Sequence, residues 1–362
     1  MRTIGNDTMP SLVGSYSGCV PRPPSTRFQG SKFKLLDWIW EHLESIPFQT
    51  CLDAFGGSAS FSHFLKGKGK SVTCNDLLVS GYLNGVALVE NQQHLLSEAD
   101  IERIIRRRQR RDYDDLISRT FDGIYFTADE NAWLDLVSQN IATITNRYKQ
   151  AIAYYALFQS ALAKRPYNLF HRRNLYMRFA KVTRTFGNKT TWDKPFEEHF
   201  CQFAQSANAA VFKGAPCRAI NEDAINVAGE YDLVYIDPPY VNQRGVGVDY
   251  HGFYHFLEGL AEYENWAARI DFSSKHRRLH RITSPWTNRA TIHQAFADLF
   301  QRFHQSTLVV SYRSDGIPPL DELTDLLRQV KRKVAVHMVH RGYKYALSTN
   351  TTSSEALLIG RD

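Results

Sequence analysis

Residues 233–236, LVYI, are apolar at every position, and the run stops at Asp237-Pro238-Pro239-Tyr240. A half-buried strand alternates apolar with polar residues, so an unbroken run this short predicts a strand buried on both faces. Such strands belong to parallel sheets covered by helices, and this one stretch therefore argues for an α/β domain. Proline fixes its own φ and keeps the preceding residue out of the helical region, so the strand leaves through a stiff, extended exit. Prolines also lack N–H donors. The exit therefore carries backbone acceptors, the Asp237 carboxylate and the Tyr240 ring, a rim suited to a planar group with an N–H donor. The plain alternative is a strand-ending turn that happens to contain Pro-Pro.

The rest of the chain repeats the α/β grammar, with one interruption. FKLLDWIWEHL has helical periodicity, QTCLDAF and SVTCND read as strands, and LLVSGYLNGVALVEN returns to helix. From about 95 to 204 the pattern changes. EADIERIIRRRQRRDYDDLISRT, ENAWLDLVSQNIATI and YKQAIAYYALFQSALA are helical patterns with no strand between them. Strands resume with CRAIN, YDLVYID, STLVVSY, VAVHMV and EALLIG. The expected organisation is a poorly ordered lead-in over 1–24, one α/β domain over 25–94 plus 205–362, and a mainly helical, basic insertion over 95–204. There are no internal repeats.

Composition narrows the function. An apolar content of 43% with 22% charged residues fits a folded soluble protein. The net charge of +7 and a pI near 9.1 favour a polyanionic partner. Five scattered cysteines, without a C-x-x-C pair, make a disulfide framework or zinc site unexpected and fit a reducing compartment. No apolar run reaches membrane-spanning length and the N-terminus lacks a signal-peptide core, so a cytoplasmic protein without a membrane partner is expected.

Two further places carry chemistry. CLDAF runs into GGSASFSHFL, which puts Asp53, Phe55 and Gly57 where the first strand turns into a helix. Glycines there admit a ligand close to the backbone, and the helix start offers free N–H groups at the carboxyl edge of the sheet. The next strand ends in CND, where Asp76 suits a ribose diol; the alternative is that it caps the helix that follows. A hydride-transfer enzyme would want G-x-G-x-x-G at the first turn, and the chain does not supply it.

The ordered set of motifs resembles the S-adenosylmethionine-dependent DNA N6-adenine methyltransferases, and within them the Dam-like group, over about residues 26–362. RFQGSKFKLL is similar to the family's N-terminal motif, which implies cofactor contacts at Gly30, Ser31 and Lys32, with Lys32 facing the cofactor carboxylate. LDAFGGSAS resembles the D-x-F-x-G-x-G turn, departing at the last glycine, here Ala59. Asp76 matches the ribose-binding acid, Asp223 in NEDA the acid near the cofactor adenine, and DPPY is complete. SYRSDGIP and YKYALS…EALLIG look like the later sheet motifs. The resemblance implies a Rossmann-like class I methyltransferase fold, a mixed and mostly parallel sheet with helices on both faces. It also implies S-adenosyl-L-methionine as cofactor and double-stranded DNA as partner. The setting it implies is bacterial or phage and nucleoid-associated, either orphan or paired with a cognate restriction endonuclease.

On that reading Asp237, Pro238, Pro239 and Tyr240 are catalytic. Asp237 and the Pro238 carbonyl accept the N–H bonds of an adenine amine and localise its lone pair, while Tyr240 stacks on the flipped base. Carbon-5 cytosine methylation needs a cysteine nucleophile in a setting that none of the five has. Three segments are candidates for DNA contact. RIIRRRQRR (103–111) holds six arginines in nine positions, with Arg106 and Arg107 central; phosphate contact competes with a solvated helix face paired to the adjacent DYDD. KRPYNLFHRRNLYMRF (164–179) offers Arg172, Arg173 and Asn174 as base readers. SSKHRRLHR (273–281) offers Arg277 and Arg278 to the backbone. The rivals are N4-cytosine methylation, where Ser more often stands at the position of Asp237, RNA or protein-glutamine methylation, and a non-catalytic DNA-binding protein on the same fold.

Overall fold

A computed structural model describes residues 20–180, 189–243, 245–339 and 354–362. Residues 1–19, which hold most of the lead-in and Cys19, and the YKYALS segment at 343–348 lie outside the described residues. In chain order the strands are β1 (Thr50–Asp53), β2 (Ser71–Asn75), β3 (Arg218–Ile220), β4 (Leu233–Ile236), β5 (Val241–Asn242), β6 (Thr307–Arg313), β7 (Gly316–Ile317), β8 (Lys333–Val339) and β9 (Glu355–Arg361). Seven form one sheet in the order β3-β2-β1-β4-β6-β9-β8. The first five of these are parallel, and β9 is antiparallel to both its neighbours. This is the mixed, mostly parallel sheet expected of a class I methyltransferase fold. The chain winds outward from β1 through β2 to β3, then returns to β4 beside β1. The strand order reverses between β1 and β4, where an open sheet leaves a crevice at its carboxyl edge.

The β4 run is buried at all four positions, as its unbroken apolarity requires. Its residues divide by the period of two between two cores. Leu233 and Tyr235 join a cluster with Cys51, Val72, Val309 and Leu357. Val234 and Ile236 join another with Leu52, Leu308, Val310 and Leu358, under the helix Ile292–Arg302. The first cluster also holds Ile101, Phe121, Leu157, Phe170 and Phe200, so the helical layer and the sheet share one core.

No strand interrupts 95–204 among the described residues, and the helices Ala128–Ala142 and Arg147–Ala163 fall where the pattern puts them. Two expectations are corrected. The helix Phe196–Ala210 runs straight through 204, so the elements do not divide there. The stretch 98–120 is not one helix: Glu98–Ile105 ends, the chain runs irregularly through 106–115, and Leu116–Thr120 follows. Asn140 takes the helix end, donating through Nδ2 to the carbonyls of Ile104 (2.8 Å) and Arg106 (3.1 Å). Tyr113 then accepts from the Arg108 N–H at 3.1 Å and donates to Asn140 at 2.8 Å, pinning the loop. The arginines also repel one another, and a regular helix would hold them in register. The pairing of β5 with β7 was not legible, because two-residue strands carry no periodicity.

Among the described residues, no helix is long and apolar enough to cross a membrane. The four described cysteines, Cys51, Cys74, Cys201 and Cys217, are free.

Candidate active site

The crevice between β1 and β4 holds a cleft of about 220 Å³ lined by residues from several stretches of chain. Phe28 to Lys32 form one wall; Asp53 and Phe55 to Ser58 form the floor; Asp76 to Val79 lie to one side. The Asp237–Tyr240 exit and the segment around Asp249–His251, with Trp286, complete it.

The turn after β1 is built for close packing. A Cβ on Gly56 would fall 2.6 Å from Cys74 Sγ, and Gly57 has φ +50°. Ala59, where the resembled motif has glycine, adopts φ 59° immediately before the helix Ser60–Gly67. The motif asks for glycine there because of backbone handedness, and the alanine stays at some strain.

Asp53 ends β1 at 1% exposure. Its Oδ2 accepts from Ser62 Oγ at 2.6 Å, while Oδ1 is buried without a donor at good hydrogen-bond geometry. Burial foremost, with the nearby Asp237 and Asp76 carboxylates adding to it against the Ser62 bond, pushes its pKa up to about 7. Asp76 accepts from Gly57 N–H (2.6 Å) and Leu78 N–H (2.8 Å). Burial raises its pKa to about 6 against those two bonds. Its backbone bonds belong to the turn and not to the helix Val79–Gly85, whose first amides are capped by Glu258 instead. Val79 and Ser80 N–H donate to Glu258 Oε2 and Oε1, each at 2.9 Å.

Lys32 reaches the site from the Gly30-Ser31-Lys32 turn, where Gly30 has φ +86° and the Ser31 hydroxyl accepts from Phe33 N–H. Its ammonium is 5% exposed, 3.1 Å from Asp237 Oδ1 and 3.5 Å from Glu355 Oε2. It donates to the Tyr240 hydroxyl at 2.6 Å, which in turn donates to Asp237 Oδ1 at 2.6 Å. Burial raises the Asp237 pKa, opposed by Lys32 and the Tyr240 bond. In this arrangement Lys32 is a counter-ion of the Asp237 exit.

The other expected residues fall unevenly. Asp223 caps the short turn Ala224–Asn226 through Ile225 N–H at 3.3 Å and is not among the residues lining the cleft. Arg106 and Arg107 are exposed on the 106–115 loop, and the Arg107 and Arg111 guanidinium groups stack on the Tyr113 ring. None of the six arginines of that run pairs with an acid among the described residues; the neighbouring Asp114 and Asp115 pair with Arg119. Arg172 and Arg173 are exposed, but Asn174 is 4% exposed and donates to the Pro166 carbonyl at 3.4 Å. Its Oδ1 is buried without a hydrogen-bond partner, so the side chain is enclosed by the segment and is not presented outward. Lys164, Arg165 and Arg178 are likewise buried: Lys164 and Arg178 pair with Glu130, and Arg165 lies over the Tyr125 ring. Arg277 and Arg278 lie on a hairpin closed by an Ile270–Leu279 bridge and an Asp271–Arg278 contact at 3.4 Å. Phe272, 57% exposed, stands on that hairpin beneath the Arg277 guanidinium.

Sequence reasoning missed Glu355, Trp286, Glu258 and the aromatic stack of Phe28 on Tyr254 (4.3 Å). Each lies far in sequence from the motif it supports, so no local pattern flags it.

Chemically, the cleft offers several carboxylates, one oxygen of them unpartnered, between the aromatic walls of Phe28, Phe55, Tyr250 and Trp286. It suits a ligand carrying positive charge, a diol and a planar ring.

The chain is 28% identical to the type II methyltransferase M2.HphI of Haemophilus parahaemolyticus, over 93% of this chain and 97% of that protein. It is 22% identical to the type II methyltransferase M.CviAII of Paramecium bursaria Chlorella virus 1, over 88% and 93%. Against the modification methylase LlaI of Lactococcus lactis subsp. lactis it is 26% identical over 90% of its own length, spanning 52% of that protein. The profile of the D12 class matches residues 28–289. With the Asp-Pro-Pro-Tyr exit standing at the reversal of a class I sheet, the chain belongs to the D12 class of N6 adenine-specific DNA methyltransferases.

Proposed function

We propose that this chain transfers a methyl group from S-adenosyl-L-methionine to the N6 amine of an adenine flipped out of double-stranded DNA, at a specific site. The observation that carries the reading is Asp237, held at the mouth of β4 by Lys32 and Tyr240, close enough to the buried Asp53 carboxyl to raise its pKa. The residues lining the cleft fit that cofactor: Asp53 and Asp76 would hold its cationic and hydroxyl groups, and the Phe28, Phe55, Tyr250 and Trp286 rings would hold its ring. The cofactor supplies an electrophilic methyl group. Everything else falls to the protein's own side chains. Asp237 and the Pro238 carbonyl accept the amine hydrogens, and the Pro-Pro exit keeps both acceptors in place before the base arrives. Lys32 and Tyr240 orient Asp237 and balance its charge in a setting shielded from water. Tyr240 must surrender part of its present bonding if its ring is to stack on the base. Asp76 is assigned to the ribose hydroxyls, and Gly30, Ser31, Phe55 and Gly57 to the walls around the methionine and adenine ends.

The helical layer over about 95–210 and the hairpin 270–279 are assigned to DNA. Unpaired arginines at 103–111 suit phosphate, and the exposed Arg172 and Arg173 suit base edges. Phe272 with Arg277 suits the junction left by an extruded base. The names of the relatives support a restriction-modification setting and a cytoplasmic enzyme. The test is to sequence modified bases in DNA from cells expressing the chain. N6-methyladenine confined to one sequence context supports the reading. N4-methylcytosine, or no modification beside measurable cofactor binding, overturns it.

A further inference from the structure

The helix Tyr250–Ala261 lines the cleft with Tyr250, His251 and Glu258. Tyr250, Tyr254 and Glu258 recur every fourth residue and so form one stripe. At Gly30 a Cβ would fall 2.5 Å from the Tyr250 hydroxyl, so the N-terminal turn is pressed against that ring. One turn on, the Tyr254 hydroxyl accepts from Gln29 N–H at 2.7 Å. One turn further, Glu258, 2% exposed, takes the Val79 and Ser80 amides that follow Asp76. The same helix starts from the catalytic exit, since Val248 N–H donates to the Tyr240 carbonyl at 2.9 Å and Asp249 caps Gly252 at 2.9 Å. Elsewhere along it, the Phe253 carbonyl accepts from Phe170 N–H at 2.9 Å and His255 meets the Tyr125 hydroxyl at 2.8 Å. It thus joins the exit, two cofactor turns and the segment that presents Arg172.

No salt bridge involves Glu258 among the described residues; the Val79 and Ser80 amides at a helix start hold its carboxyl against the burial that raises its pKa. A buried carboxylate held in that way is an expensive filler for a core. Its geometric effect is specific. It fixes the turn that aims Asp76, and a Cβ on Gly81 would sit only 2.4 Å from the Asp76 carboxyl carbon, so that turn has no slack.

We propose that Glu258 is a positioning residue for the cofactor, holding the Asp76–Ser80 turn in ligand-ready geometry and tying it to the helix that begins at the catalytic exit. The proposal rests on the reading of the cleft given above.

The experiment compares wild type, Glu258→Ala and Glu258→Gln. It measures S-adenosylhomocysteine binding by calorimetry, the split between cofactor KM and kcat, duplex DNA binding, and amide exchange in the ligand-free chain. Glu258→Ala should weaken S-adenosylhomocysteine by about tenfold or more and raise cofactor KM in parallel, with kcat and DNA affinity held within about threefold. Val79 and Ser80 should lose exchange protection while β1 and β4 keep theirs. Glu258→Gln should fall between, since its amide oxygen still accepts one of the two bonds. Unchanged binding in Glu258→Ala overturns the proposal alone. So does a parallel loss of KM, kcat, DNA binding and sheet protection, which marks general destabilisation. If Glu258→Ala does not fold, Glu258→Gln decides: weaker binding at unchanged kcat supports the proposal, and unchanged binding overturns it. Wild type that fails to bind S-adenosylhomocysteine overturns the cofactor reading and this proposal together.

Discussion

The Lys32 ammonium lies 3.1 Å from the Asp237 carboxylate, bringing the N-terminal Gly-Ser-Lys turn and the Asp-Pro-Pro-Tyr exit into one buried ion cluster with Glu355. Removing Lys32 takes away the cation that lies between the two acids and leaves only the Arg313 charge acting on Glu355. Lys32→Met should therefore lower stability by about 3–5 kcal/mol, the usual consequence of breaking a buried pair. Chemical denaturation measures this, and Glu355→Gln in the same background should restore part of the loss.

Asp237→Asn keeps the shape of the exit but turns a charged acceptor into an amide. Its kcat should fall by roughly 10²–10³, with S-adenosylhomocysteine affinity within a few-fold of wild type. Single-turnover methylation of a duplex substrate separates the two. Retention of more than about a tenth of the rate would falsify the assigned role of Asp237.

Asp53 has a folded pKa near 7 against an ordinary 3.8. A carboxylate raised by folding favours the protonated folded state, so its contribution is present at low pH and lost as pH rises through the folded value. The stability advantage of ligand-free Asp53→Asn over wild type should then grow between about pH 4 and 7, by at most about 1.4 kcal/mol per unit, and level off above. Melting curves across that window check it. A constant difference would show that Asp53 does not titrate there.

Ala59 sits at φ 59°, where a side chain is strained. Ala59→Gly should stabilise the chain by up to about 1 kcal/mol despite the greater freedom glycine has when unfolded. A lowered melting temperature would mean that the Ala59 methyl contributes more to packing than its backbone loses.

Arg106, Arg107, Arg172 and Arg173 are all exposed, whereas Asn174 is buried. Arg106→Ala with Arg107→Ala should weaken all duplexes alike and reduce the salt slope by about one unit per lost phosphate contact. Arg172→Ala or Arg173→Ala should relax discrimination at particular base pairs by about 1–3 kcal/mol. Asn174→Ala should lower stability and leave discrimination intact. Methylation of the cognate site and its single-base variants, at two salt concentrations, distinguishes all three.

Much of this was legible because an acid closes β1 and follows directly on β4 and β2, where the strand itself positions it. Asp237, Asp53 and Asp76 could be placed at strand ends from LVYID, CLD and TCND. What the pattern could not reveal were partners brought in from a distance. Glu258 caps a helix that Asp76 was a candidate to cap, and Glu355 shares Lys32 with Asp237. The arginine run misled for another reason. Helix propensity favours arginine, yet Asn140, from a different helix, captures the chain end and unwinds it. Asn174 looked like a reader by composition, and its burial was not legible there.

The helix Phe196–Ala210 and the core shared between helical layer and sheet bear on how new specificities could be engineered. Exchanging 95–204 between relatives as a cassette would cut that helix between Ala204 and Gln205. It would also pair Phe121, Leu157 and Phe200 with a sheet face they were not shaped to meet. Such chimeras should be insoluble or inactive whatever sequence the donor recognises. On the DNA assignment proposed above, retargeting this scaffold becomes a problem of surface substitution, at Arg172, Arg173 and the hairpin beyond Ile270, with the buried seam left whole.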